Sequence, residues 1–303
     1  MIDVLITLLT AMSFATPAEA ATPSPAAFVR PLPRAEQAPR PAPPKKQRKE
    51  SIGIATTGRS AFIADVATGQ VLYAKKPHDV MPIASLTKLM TAIVLMDSDL
   101  NLDEPVTFVS EDFDGEGKAV FVPGETVSRR DALRALLVGS VNAAGNALAR
   151  TSKGMEPFVQ AMNTKARALK LASPVFVDPT GVNPSNRANA ADVAAMLSIA
   201  MSYPELRQIA SLPVVTIKGG SGRSYEIAST NLLLPSFLNK APYQIVGAKT
   251  GSLPEAGFCM AQLTRDAAGH EVVAVTLSSS NHFTRYQDIK GLTAWAFDAY
   301  RWE

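Results

Sequence analysis

Strand-type and helix-type patterns are segregated along this chain, and that segregation restricts its fold more than any other feature. Residues 59–66 and 70–76 are apolar, strand-forming runs on either side of Ala67-Thr68-Gly69, which reads as a β-hairpin. Helical patterns follow. Residues 85–97 read as a buried helix, with Pro82 lying harmlessly just before it. Residues 128–171 read as two or three helices, the first opened by Ser128 with Asp131 in a capping-box-like pair. Asn189 with Asp192 opens another, running to about residue 202. The pattern then returns to strands at 213–217, 223–228, 243–250, 256–264 and 271–278, and a helix over 284–300 closes the chain. Strands towards both ends and helices between them predict an α/β (α+β) protein in which one sheet is built from the two ends of the chain, with a helical subdomain inserted.

Charge is just as unevenly placed. The 303 residues carry a net +3. Residues 21–50 hold seven Lys or Arg against Glu36 and Glu50, together with eight prolines. Such a segment buries too little to offset its ordering entropy and is expected to be a disordered tether. Its bases allow weak contact with anionic wall polymers or a membrane surface. Residues 1–20 hold Asp3 and Glu19, so residues 51–303 sum to zero, which gives no reason to expect a nucleic-acid partner. The opening has an apolar stretch over 4–15, too short to span a bilayer, then Ala18-Glu19-Ala20, a small-x-small cleavage pattern. An export signal cleaved before Ala21 is expected, although no base precedes Arg30. The expected organisation is a signal peptide over 1–20, a basic Pro-rich linker over 21–50 and a folded domain over 51–303. A single cysteine, Cys259, excludes an internal disulfide and a cysteine zinc site. His78, His270 and His282 lack metal-ligand spacing and read as surface or structural residues, so no metal and no cofactor is expected.

Three short motifs carry the chemistry. In Ser85-Leu86-Thr87-Lys88 the two polar ends, three apart on a helix, share a face. A serine hydroxyl needs an adjacent base to attack, and a lysine serves as that base when burial lowers its pKa. Leu86, Leu89 and Met90 supply apolar surroundings. Ser140-Val141-Asn142 lies between two predicted helices, where a hydroxyl can relay a proton and an amide can both donate to and accept from a substrate peptide group. Lys249-Thr250-Gly251 ends a predicted strand; a cation and a hydroxyl there suit a carboxylate, and Gly251 is expected to leave room for a peptide beside the strand. Each motif alone is explained as well by a helix start, a helix cap or a strand end.

Together, in this order, they form the signature shared by penicillin-binding proteins and class A β-lactamases. The segment Pro82-Ile83-Ala84-Ser85-Leu86-Thr87-Lys88-Leu89-Met90-Thr91-Ala92 resembles the active-site segment of the low-molecular-mass D-alanyl-D-alanine peptidases of the serine peptidase S11 type. Pro123-Gly124-Glu125 ahead of Ser128, Asp178-Pro179-Thr180-Gly181, and the stretch from Asn186 to Asp192 resemble other parts of the same family. The resemblance covers about 58–300 and is similar above all to the soluble DD-endopeptidase branch.

The resemblance implies a β-lactamase/transpeptidase-like fold, an antiparallel sheet flanked by helices. It implies that Ser85 attacks a D-Ala carbonyl of a peptidoglycan stem peptide and forms an acyl-enzyme, that Lys88 is the base, and that Ser140 passes the proton on. Asn142 would hold the substrate backbone, Lys249 and Thr250 its carboxylate, and the backbone N–H groups of Ser85 and Ser252 an oxyanion. β-Lactams would be covalent inhibitors. Val141 and Ala143 stand where many relatives have other residues, and both are expected at the cleft. A β-lactamase would need a carboxylate base for deacylation; Glu156 comes too soon after Asn142, and Glu205 too late. A non-catalytic wall-binding module would need neither Ser85 nor Lys88. A soluble periplasmic or wall-located enzyme is expected. The chain stops near Trp302-Glu303, where the catalytic domain of such a peptidase should end, so cross-link cleavage is expected, with carboxypeptidase activity beside it.

Overall fold

The two groups of strands meet in a single sheet. The computed structural model describes residues 41–98, 100–114 and 119–303; the expected signal and most of the expected linker lie outside them. Strands β1 (Ser60–Asp65) and β2 (Val71–Lys75) form the early hairpin, and β3 (Gln244–Leu253), β4 (Gly257–Arg265) and β5 (Glu271–Ser279) come from the late part of the chain. Their order is β3-β4-β5-β1-β2, antiparallel throughout, with Val275 opposite Phe62 where the early and late groups join.

Both faces of the sheet are covered. Successive strand residues point to opposite faces. Ile63, with Met260 and Ala274, packs against Ile289, Leu292 and Ala296 of the last helix, α7 (Thr284–Ala299). Phe62, Val273 and Val275 belong to the larger core shared with the helical part of the chain. Its centre is α1 (Lys88–Asp97), whose residues from Lys88 to Leu95 are all buried. Around it lie α2 (Arg129–Val138), α3 (Asn142–Ser152), α4 (Met155–Ala168) and α5 (Ala190–Ala200). The expected caps are present: the Ser128 hydroxyl accepts from the Asp131 N–H at 3.0 Å, and the Asn189 side chain accepts from the Asp192 N–H at 2.8 Å.

Several features differ from the expectation. The first turn of the helix expected from Ser85 is a 3₁₀ turn, Ala84–Thr87, and Ala84 holds a left-handed φ of 47°. An unexpected helix, α6 (Pro204–Ala210), starts on a proline at a position where the missing N–H costs nothing. Val214–Lys218 and Ser224–Ala228 form a hairpin of their own outside the main sheet. The Glu125 carboxylate holds that hairpin's turn, accepting from the hydroxyl and N–H of Ser221 and from the Tyr225 hydroxyl; these bonds pull its pKa down to about 2. Within the segment read as a linker, Lys45–Lys46 pairs antiparallel with Tyr300–Arg301, so ordered pairing begins ahead of Ser51.

Candidate active site

Ser85 sits within the 3₁₀ turn that leads into α1, held from three sides. Ala84 in front of it is left-handed, a conformation that costs a non-glycine residue about 1–2 kcal/mol and is sustained by its surroundings. Gly181 is one of those surroundings: a Cβ there would lie 1.9 Å from the Ala84 carbonyl oxygen, and its φ is +83°. The Asp178 carboxylate folds the loop that presents Gly181, accepting the backbone N–H groups of Thr180, Gly181 and Asn183 at 2.7, 2.6 and 3.0 Å. Partial burial pushes the Asp178 pKa up, but these donors outweigh it and leave the group below its ordinary value.

The loop also turns the Thr180 carbonyl onto Lys88. The Lys88 Nζ lies 2.8 Å from Ser85 Oγ, 2.7 Å from Asn142 Oδ1 and 2.6 Å from the Thr180 oxygen. Lys88 is wholly buried, and burial lowers its pKa from 10.5 to about 7 against the opposing pull of Asp178. An ammonium donates to all three partners, and the same set also suits a neutral amine. Two N–H groups are matched by two carbonyl oxygens that cannot donate, and the lone pair faces the one hydroxyl that can.

Ser140 stands at the turn between α2 and α3 with a left-handed φ of 60°, which directs its hydroxyl to Lys249 Nζ at 2.8 Å. Asn142 opens α3 and reaches Lys88. Lys249, only 1% exposed, also donates to the Thr250 carbonyl at 2.8 Å. Burial, then the nearby charges of Lys88 and Arg285, hold Lys249 well below the ordinary lysine pKa. The Arg285 guanidinium beside these lysines makes the region attractive to an anion.

A cavity of about 260 Å³ opens in front of this cluster, lined by Ser85, Ser140, Thr250, Gly251 and Ser252 among others. The expected site residues are therefore brought together, but in two layers. Lys88 and Lys249 are buried behind the wall with Asn142 half-buried beside them, and the cation that lines the cavity is Arg285, whose Nη1 donates to the Gly251 carbonyl at 3.1 Å. Its buried Nε has no protein partner among the described residues. Thr230 accepts from the Thr250 hydroxyl at 2.8 Å, and its carbonyl accepts from the Tyr286 hydroxyl at 2.8 Å. His282, expected on the surface or in a structural role, lines the cavity as well. Arg285, Thr230, Tyr286 and His282 form no motif with the three expected ones; His282, Arg285 and Tyr286 lie around the start of the last helix and Thr230 in the loop after a strand.

Gly251, which lines the cavity, is also required by the packing behind it. A Cβ there would meet the Ile83 carbonyl oxygen at 2.8 Å and the Ser85 nitrogen at 3.0 Å. The missing side chain lets β3 lie directly against the serine turn, which brings that end of the strand beside the Ser85 backbone. Val141 and Ala143 are buried core residues, and neither is among those that line the cavity. Glu205 is engaged with Arg130 at 2.7 Å, and neither it nor Glu156 is among the residues that line the cavity.

Known proteins share both sequence and architecture with this chain. A family model described as D-alanyl-D-alanine carboxypeptidase matches residues 45–281. A D-alanyl-D-alanine endopeptidase of Pseudomonas aeruginosa is 36% identical over 240 residues, covering 78% of this chain and 76% of that protein. The D-alanyl-D-alanine endopeptidase of Escherichia coli is 32% identical over 241 residues, with coverages of 78% and 76%. Among solved structures, the Streptomyces K15 DD-transpeptidase superposes with a TM-score of 0.75 at 27% identity, covering 82% of this chain and all of that one. With its antiparallel sheet and its serine–lysine pair in place, the chain belongs to the D-alanyl-D-alanine carboxypeptidase family, peptidase family S11, and is a serine-type D-Ala-D-Ala hydrolase of the penicillin-binding protein class.

Proposed function

We propose that Ser85 is the nucleophile, Lys88 its base, and the cross-link of peptidoglycan the preferred substrate. The observation that carries the first two roles is the 2.8 Å approach of a wholly buried lysine, with a pKa of about 7, to the Ser85 hydroxyl. The neutral amine takes the hydroxyl proton as Oγ bonds to the D-Ala carbonyl carbon. The backbone N–H groups of Ser85 and Ser252 hold the resulting oxyanion. The proton passes through the Ser140 hydroxyl to the departing nitrogen as the C–N bond breaks. Water then adds to the acyl-enzyme with Lys88 again as base, releasing the shortened peptide and restoring the serine.

The carboxylate beyond the scissile bond meets Thr250 and Arg285 on the cavity wall, with Lys249 reaching that wall through its bond to Ser140. In a cross-link that carboxylate belongs to a diamino acid, and cleavage of this bond is supported by the endopeptidase names of the Pseudomonas and E. coli relatives. Purified enzyme offered cross-linked muropeptide dimers and monomeric pentapeptides separately should convert dimers to monomers; release of D-Ala from pentapeptides with dimers untouched would make it a plain carboxypeptidase. Residues 4–15 and Ala18-Glu19-Ala20 support export to the periplasm or a comparable wall compartment. Among the described residues no helix is long and apolar enough to cross a membrane.

The packing at Gly251 gives a second expectation. Gly251→Ala should push β3 away from the serine turn and slow β-lactam acylation by about 100-fold, the scale of effect for a misplacement of order 1 Å. Stopped-flow acylation checks it; an unchanged rate would mean that the turn can retreat without disturbing Ser85.

A further inference from the structure

The cleft described above is not the roomiest one. At the opposite end of β3, roughly 24 Å along the strand from Gly251, a groove of about 480 Å³ runs beside Tyr243, Phe297 and Trp302. A neighbouring hollow of about 470 Å³ shares Pro242, Tyr243 and the Asp266–Ala268 turn with it, so the two make one surface. The volumes are those of a ligand site, and the lining is unusual for a chance crevice. Among the described residues, no aliphatic side chain larger than alanine or proline contributes to it. The rings are instead arranged in succession: Tyr243 stacks on Phe297 at 5.1 Å, Phe297 meets Trp302 at 5.5 Å, and Trp302 stacks on His270 at 5.4 Å.

The rings are also held in place. The Trp302 indole N–H donates to Asp65 at 2.8 Å, which fixes its plane. Asp266 accepts the N–H groups of Ala268 and His270, both at 2.9 Å, which fixes the turn. Gln47, Asp266 and Arg301 add hydrogen-bonding groups.

Aromatic faces carry negative quadrupole and attract the weakly positive C–H face of a pyranose ring, while flanking amides, carboxylates and guanidinium groups bind its hydroxyls. An amphipathic helix or a membrane would call for the aliphatic side chains that this groove lacks. We infer that the groove binds the glycan of peptidoglycan, a β-1,4-linked N-acetylhexosamine chain, and so holds the enzyme on the polymer whose stem peptides it cuts. The choice of glycan rests on membership in a family that acts on those stem peptides, and not on which D-alanyl bond is cleaved.

The test uses the full chain and glycan strands freed of stem peptides by an amidase, so that the Ser85 cleft has nothing to hold. Sedimentation with the denuded glycan should retain the protein, and the fluorescence of its two tryptophans, Trp295 and Trp302, should shift on titration. Tyr243→Ala and, as a variant that adds charge on exposed backbone without removing a core group, Ala268→Glu should each weaken retention about 10-fold or more. Acylation of Ser85 by a fluorescent β-lactam, measured in the same samples, should match that of the unmodified protein. Absence of retention by the unmodified protein, equal retention by both variants, or retention of a proline-rich peptide in place of the glycan would overturn the inference. A failure of acylation would instead count against the assignment of the Ser85 cleft.

Discussion

Ser85→Ala should leave a folded protein that no longer acquires the mass of a β-lactam and no longer cleaves any D-alanyl bond. The substitution removes one oxygen from a turn whose geometry is fixed by Ala84, Gly181 and Gly251 rather than by the hydroxyl, so the fold should hardly change. Peptide mapping of the unmodified protein after β-lactam treatment should place the adduct on the peptide containing Ser85. Labelling at another serine, Ser140 included, or turnover by the alanine variant, would remove the nucleophile assignment.

Lys88→Ala should slow acylation by about two to four orders of magnitude, the usual loss when a general base is removed. Lys88→Arg should restore nothing, because a guanidinium stays protonated and has no lone pair to offer. The pH dependence follows from the same burial. With the pKa lowered to about 7, acylation should rise as pH increases through that region, as the ammonium becomes an amine. Stability should move with it. The unfolded chain keeps this proton up to about pH 10.5, whereas the folded chain releases it near 7, so the unfolded state binds more protons in between and this group's contribution to stability rises with pH over that window. An acylation rate flat between pH 5.5 and 8.5, determined in single-turnover experiments, would contradict the role of Lys88.

The parts of the site that could be read from the sequence are those fixed by short-range geometry. Ser85 and Lys88 are three apart, and one turn of helix puts them together whatever the rest of the chain does. Ser140 and Asn142 flank a helix junction, and Lys249 to Ser252 lie along one strand. What could not be read is which group of each motif faces outward. Lys249 was expected at the substrate; it is buried, and its Nζ meets the Ser140 hydroxyl on the cavity wall. Arg285, itself buried, lines the cavity from a helix 34 positions away, through a bond to the Gly251 carbonyl that no local pattern announces. Gly251 was read as room for substrate because a sequence shows that a side chain is missing but not which neighbour required it. The fold was legible to the extent that periodicity reports it: the five sheet strands and most helices appeared near their observed bounds, while α6 and the two-residue ladders are too short to carry a period.

The join between β5 and β1 has a consequence for how the molecule is made. Val275 sits opposite Phe62, so the centre of the sheet closes a loop of roughly 210 residues. Contacts of such long sequence separation slow folding, since the closure entropy is lost before the pairing repays it. During synthesis the helical segments can collapse as they emerge, but Ser-Ala-Phe-Ile-Ala-Asp of β1 must wait for Glu271–Ser279 before its inner edge is covered. Until then it is an apolar strand with one unpaired edge, the kind of segment that pairs with other chains. The nascent protein should therefore depend on a holding chaperone for most of its elongation, and lose that dependence abruptly once its last strand is available.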